Sequence, residues 1–269
     1  MWRTLYFNEG FEQATKNVLA SGLGQIDHGK GLIVPTTSAM AYDTNWLFSG
    51  YTTSLRDCRL WHSIMFNHYN LVPEFCRLRC YKVVIKVRNF REAFQMHGLL
   101  DSAGCINAKV TGLHGKVGVD ERYFSSGLFN AFVYCDGLED ALRKYQEVRS
   151  LVDEHLEDGK NIAVIIKRSC TEFERKFGAT DQDFWQSMSQ NDLALQRRLE
   201  DMYAPEWSSA VQPDWLKNKI IFRWIRWANT HDDKTWIEFY PGNVDDITMK
   251  PVTYQHLVKE MKENGTSKD

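Results

Sequence analysis

The stretch Lys160-Asn-Ile-Ala-Val-Ile-Ile-Lys-Arg-Ser-Cys-Thr-Glu-Phe-Glu174 reads as a buried strand that runs directly into a helix. Ile162 to Ile166 is a continuous apolar run rich in β-branched residues, the pattern of a strand covered on both faces. Thr171 and Glu174 stand in the T-x-x-E order of a capping box. In that arrangement the Thr171 hydroxyl accepts from the Glu174 backbone N–H, and the Glu174 carboxylate accepts from the N–H of Thr171. Cys170 then sits just outside a helix N-terminus beside Lys167 and Arg168. In such a setting a cysteine becomes nucleophilic, or the helix start holds an anion such as phosphate. The same residues also read as a small buried side chain, a cap and two solvated cations. The capping box has no use for Glu172, which makes it the better acid–base candidate of the two carboxylates.

Upstream, alternating signals predict a module over residues 79–168. Tyr81 to Val87 is a strand, and Asn89 caps a helix from Phe90 to Leu100 with Gly104 near its end. Asn107 to Val110 is a second strand, Gly112 to Glu121 a glycine-bearing connection, and Phe129 to Cys135 a third strand. Asp136-Gly137 introduces a long helix to about Leu156, with Leu138, Leu142, Tyr145, Val148 and Val152 as its apolar stripe. Ile162 to Lys167 is the fourth strand. The order β-α-β-β-α-β is that of a ferredoxin-like, or split βαβ, module, a pattern that carries no activity by itself.

Around this centre the chain predicts shorter elements. Thr4 to Phe7 is a strand, Phe11 to Leu23 an amphipathic helix, and Gly29 to Pro35 a second strand ended by proline. Thr36 to Ser54 is mainly loop, and Leu55 to Tyr69 a helix. After the module come helices at Thr171–Phe177, Asp181–Met188, Asp192–Met202 and, after Pro213, Asp214 to about Ala228. Thr235 to Tyr240 is a strand and Thr253 to Lys262 a closing helix. The expected whole is one α/β unit of α+β type over residues 1–269. Its terminal strands complete the central sheet, and a mostly helical C-terminal layer covers residues 169–269.

The chain has 269 residues, 43% hydrophobic and 25% charged, with a net charge of -2, which is ordinary for a folded domain. The near-neutral charge excludes a whole-protein basic field, so a nucleic-acid site has to be a local patch. No run of about eighteen apolar residues predicts a membrane span, and the opening Met1 to Glu9 lacks the apolar region of a signal peptide. Six scattered cysteines fit reduced thiols and a cytoplasmic location.

A second constellation lies at Lys217-Asn-Lys-Ile-Ile-Phe-Arg-Trp-Ile-Arg-Trp227. On a helix, Lys219, Arg223 and Arg226 share a face flanked by Phe222 and Trp227, while Ile221, Trp224, Ile225 and Ala228 face inward. Such a stripe can follow a phosphate backbone and stack a base. It is equally a core helix whose arginines lie over apolar surface and meet carboxylates. Metal spacing is poor: Cys76 and Cys80 have no second pair, and H-E-x-x-H and C-x-x-C are missing. Asp232, Asp233, Asp245 and Asp246 are carboxylates for a divalent ion or simply surface turns. Gly112 to Gly118 is an anion loop, lending backbone N–H groups and Lys116, or a hairpin connection.

Thr4-Leu-Tyr-Phe7 with Leu19-Ala-Ser-Gly-Leu23, Tyr51-Thr-Thr-Ser54 and Glu172-Phe-Glu174 resembles scattered motifs of ADP-ribosyltransferases, over roughly a tenth of the chain. The resemblance implies a nicotinamide dinucleotide donor near Ser54 and Glu172. The pattern departs from that family where a ferredoxin-like module intervenes and a helix follows Glu174. The leading expectation is action on nucleotides or nucleic acid. Lys167, Arg168, Lys219, Arg223, Arg226 and Trp227 are its binding residues, and Cys170 and Glu172 its nucleophile and acid–base pair. A non-catalytic protein-binding or inhibitory role is the third expectation, and no cofactor is identified by the residues alone.

Overall fold

A computed structural model describes residues 44–49, 71–106, 113–125, 127–178, 190–202 and 212–243. It also describes strands at 24–27 and 32–35 and single positions at 13, 16, 19, 20, 65, 66 and 69. The predicted elements at 4–7, 107–110, 181–188 and 253–262, and most of those at 11–23 and 55–69, lie outside the described residues. Strands β1 (Gly24–Asp27) and β2 (Leu32–Pro35) pair antiparallel as a separate ribbon. The main sheet is built from β3 (Trp46–Ser49), β4 (Cys80–Ile85), β5 (Gly115–Val119), β6 (Phe129–Asp136) and β7 (Val164–Arg168). Its order is β3-β5-β6-β4-β7, and every neighbouring pair is antiparallel.

Helices α1 (Glu74–Leu78), α2 (Phe90–Ile106), α3 (Leu138–His155), α4 (Thr171–Phe177), α5 (Gln190–Met202) and α6 (Asp214–Thr230) complete the described part. Because side chains alternate along a strand, Leu47, Val83, Ile85, Val117, Val119, Ala131, Val133 and Val164 point to one face. There they form one core with α2, α3 and α6. A smaller cluster of Phe66, Cys76, Cys80 and Phe173 joins α1 and α4. Among the described residues no helix is long and apolar enough to cross a membrane.

Helix α2 shows how local sequence and distant chain cooperate. Asn89 Oδ1 accepts from the Glu92 N–H (2.9 Å), as its capping position predicts. The two N–H groups before it are served from the far end of the chain: Phe90 N–H donates to Asp233 Oδ2 (2.7 Å) and Arg91 N–H to Thr235 Oγ1 (3.1 Å). Asp233 Oδ1 also accepts from the Thr235 N–H (2.9 Å). This turn bends Thr235–Glu238 into a 3₁₀ helix with Trp236 buried, correcting the strand expected at 235–240.

Other expectations are also corrected. Residues 112–121 are more than a connection, since Gly115–Val119 is the strand β5. A Cβ on Gly115 would lie 2.4 Å from Phe132 O, and one on Gly118 2.2 Å from Asn45 O, so these glycines permit close backbone approach. Trp46–Ser49, expected as loop, is the strand at one end of the sheet. Gln212 fastens it, accepting from Phe48 N–H (2.8 Å) and donating to Trp46 O (3.0 Å), which satisfies edge groups that would otherwise invite another strand. Of the terminal strands expected to complete the sheet, 32–35 pairs in the separate ribbon and 235–238 is the 3₁₀ helix, while 4–7 lies outside the described residues. At the other end, β7 is not covered on both faces, since Ile165 is 46% exposed. On α3 the buried line is Ala141, Lys144, Val148 and Val152, with Leu138 and Leu142 half exposed.

Ser49 lies at the seam of β3 and α2, fully buried, with its Oγ 3.2 Å from His97 Nδ1. Burial pushes the His97 imidazole down to about 4, with Asp101 opposing and Lys217 reinforcing the shift. The unfolded chain therefore binds a proton near pH 6.5 that the folded one resists until about pH 4. Stability present above about pH 6.5 is expected to be lost as pH falls toward 4, by about 3 kcal/mol in all. Denaturant midpoints between pH 7 and 4.5 measure this, and a slope that persisted in His97→Gln would belong to another group.

Candidate functional site

The alternation that gives one face of the sheet its core sends cations and aromatics to the other. Lys82 and Val84 come from β4, with Lys86 just past its end, Lys116 from β5, Asn130 and Phe132 from β6, Trp46 from β3 and Lys167 from β7. The Lys116 ammonium lies 4.2 Å from the Trp46 ring centroid and 5.5 Å from that of Phe132. Lys82 Nζ lies 5.6 Å from the same Phe132 ring, and the Trp46 and Phe132 centroids are 5.4 Å apart. Lys86 Nζ donates to Asn130 Oδ1 (3.0 Å), and Lys82 Nζ lies 3.6 Å from Cys170 Sγ.

The connection after β5 closes one side. Arg122 donates through Nε to Asp120 Oδ1 (2.7 Å), through Nη2 to Asp120 Oδ2 (2.6 Å), and through Nη1 to Glu172 Oε1 (2.6 Å). Lys167 pairs with Glu174. Among the described residues Lys82, Lys86, Lys116, Arg122 and Lys167 thus share this region with Asp120, Glu172 and Glu174, and the balance is positive.

Titration reflects that balance. Burial lowers the Lys86 ammonium below its usual value; Asp120 opposes this, while the Lys167 and Arg122 charges add to it. Burial acts to raise Asp120 and Glu172, yet both end below the usual carboxylate range. Arg122 hydrogen bonds and charge outweigh burial at Asp120, while the backbone N–H of Glu172, Arg122 and Lys82 do so at Glu172. Glu172 is therefore ionised at neutral pH and can accept a proton but has none to give.

The residues singled out from sequence divide into three groups. Lys167, Cys170 and Glu172 come together at the cluster. Cys170 is the N-cap of α4 and makes no side-chain cap bond. The N-cap position falls on Cys170 rather than on Thr171, where the capping box was expected, and Glu174 pairs with Lys167 across the strand–helix turn. Arg168 is a fastener: its Nε donates to Arg77 O (2.8 Å) and its guanidinium lies over Tyr81. The α6 residues sit on the opposite face of the sheet, where Leu216, Ile220, Trp224, Ile225 and Ala228 are buried. Arg223 donates through Nη1 to Thr44 O (3.1 Å) and Asn45 Oδ1 (3.0 Å), and Trp227 stacks on His231 at 5.0 Å. Lys219 and Arg226 are exposed, beside Trp215 and Phe222.

Other reactive groups lead elsewhere. Burial pushes the Cys80 and Cys135 thiols up to about 11, so neither is a nucleophile at neutral pH. In the Ser49–His97 pair Ser49 is buried and His97 half-buried, on the side of the sheet that carries α2, away from the cluster. Asp233 caps α2, and among the described residues no three metal-ligating groups come together. Asp245, Asp246 and Tyr51–Ser54 lie outside the described residues.

Lys116, expected with the glycine-bearing stretch 112–118 as an anion ligand, lies at the cluster, whereas Lys82, Lys86, Arg122 and Trp46 were missed in the sequence. Their signal was available in part: Lys82 and Lys86 are four apart in a strand and so share a face, opposite Val83 and Ile85. Searches against protein-family models, curated proteins and solved structures found no match to this chain.

Proposed function

We propose that the protein binds a phosphate-bearing ligand, a nucleotide or a single nucleic-acid strand, on the sheet face away from α2, α3 and α6. The carrying observation is the grouping of Lys82, Lys86, Lys116, Arg122 and Lys167 around Trp46 and Phe132 on that one face. Cations draw the phosphates, and an aromatic ring offers a stacking surface that every base can use. Trp46 suits that role better than Phe132, which is only 8% exposed. With a net charge of -2, attraction has to arise locally. The order β5-β6-β4-β7 with α2 and α3 on one face supports the ferredoxin-like reading of residues 79–168. In that arrangement the second face lies away from the module's two helices.

The test is binding of fluorescent oligodeoxythymidine and oligouridine across a salt series. Neutralising about three to five phosphates gives a log–log slope of about -2 to -3.5 for single strands. Absence of saturable binding at low salt would overturn the proposal. Cys170 and Glu172 stay its catalytic members, Glu172 as a base. Turnover of a bound nucleotide that is unchanged in Cys170→Ala and Glu172→Gln would remove them from that role.

A further inference from the structure

A cluster of cations selects phosphate but does not distinguish an inorganic polyphosphate from a base-bearing ligand. The connection between β5 and β6 carries a residue able to do so. Tyr123 is 82% exposed, the most exposed large hydrophobic side chain among the described residues. It is nevertheless held in place. The Arg175 guanidinium lies 4.7 Å from its ring centroid and 4.6 Å from that of Phe124, and the two rings meet edge to face at 5.1 Å. Arg122, the next residue back, ties the connection to Glu172 on α4 (2.6 Å) and lies 5.2 Å from the Phe124 ring. The Ser125 N–H closes the turn on Arg122 O (2.8 Å).

Several features combine here. The ring is backed by a guanidinium, its surface is largely open to solvent, and its chain neighbour is one of the cluster's own cations. Core packing does not account for a tyrosine so exposed, whereas stacking uses such a ring well, and a cation behind an aromatic adds to the interaction.

We propose that Tyr123 is the specificity residue of this site and stacks on a nucleobase while the basic sheet face holds the phosphates. The inference rests on the phosphate-binding reading and adds the chemical class: the ligand is base-bearing.

The experiment measures dissociation constants for three probes: inorganic tripolyphosphate, an abasic oligodeoxynucleotide, and an oligodeoxythymidine of the same length. Each is titrated into the full chain as wild type, Tyr123→Ala and Tyr123→Phe, with thermal melts as a check on folding. Tyr123→Ala is expected to weaken the oligodeoxythymidine by about 5- to 150-fold, the span of a single stacking interaction. The other two probes are expected to be unchanged, and Tyr123→Phe to bind all three like wild type. If Tyr123→Ala leaves the oligodeoxythymidine unchanged, or weakens all three alike, the inference is overturned while the phosphate reading stands. If tripolyphosphate and the abasic strand fail to bind wild type at low salt, the phosphate reading falls and takes this inference with it.

Discussion

Replacing Trp224 with alanine is expected to destabilise the protein by about 3–5 kcal/mol, as for large aromatic side chains in other cores. The change should appear as a lower denaturant midpoint with an unchanged slope. Trp224 is fully buried and meets Phe129 edge to face at 6.0 Å. Its indole N–H donates to Asn45 O (2.8 Å), which also accepts from the Val119 N–H (3.3 Å). That carbonyl lies where a Cβ at Gly118 would stand. One side chain thus fills the space between α6 and the sheet and fixes the lead-in to β3. Trp224→Phe keeps most of the ring volume and removes the hydrogen bond, and is expected to cost about 1–2 kcal/mol. A loss below about 1 kcal/mol in Trp224→Ala would mean that α6 does not pack against the sheet in this way. The result also separates the two readings of residues 217–227, because a helix that served only as a binding surface would tolerate the change.

Much of the central module was legible, for local reasons. The apolar runs at 81–87 and 129–135 and the cap at Asn89 are signals carried by neighbouring residues, and β4, β6 and α2 follow them. Pro213 stands immediately before α6 for the same reason. What failed to show depended on distant chain. Gly115 and Gly118 read as turn residues because composition does not reveal that Phe132 and Asn45 backbone atoms crowd them. The strand β3 has four residues, and its edge is completed by Gln212, from a remote part of the chain. The run Ile162 to Ile166 cannot by itself tell a sheet edge from its centre, since both are apolar on the core-facing side.

The site was legible to a similar degree. Its strand-to-helix turn was found because Lys167, Cys170 and Glu172 are close neighbours in the chain. The turn's own departure was not visible: Ser169 is fully buried in a left-handed conformation (φ 55°), and its hydroxyl has no hydrogen-bond partner. Such a residue carries strain that the surrounding fold must hold. Lys82 and Arg122 escaped, and Lys116 was not linked to them, because the three are far apart in sequence and are brought together only by strand pairing. The α6 stripe is compact in sequence and therefore stood out, although Arg223 and Trp227 are engaged in holding the fold.

The double change Lys82→Ala with Lys116→Ala puts these two basic surfaces in competition. Both ammonium groups lie over Phe132, and neither side chain belongs to the main core. Their removal is expected to weaken oligonucleotide binding by about 10- to 100-fold near 0.1 M salt. Because two phosphates are no longer neutralised, the log–log salt slope is expected to become shallower by about 1.4. Lys219→Ala with Arg226→Ala removes the same charge from the exposed side of α6, on the other face of the sheet. At a Debye length of about 10 Å that change is largely screened from the cluster, so binding should stay within about threefold of wild type. Equal losses in the two variants would indicate general attraction to a basic surface rather than a site. A loss confined to the α6 pair would move the ligand to that helix and overturn the sheet-face assignment, because charge on the wrong side of the sheet cannot replace a direct phosphate interaction.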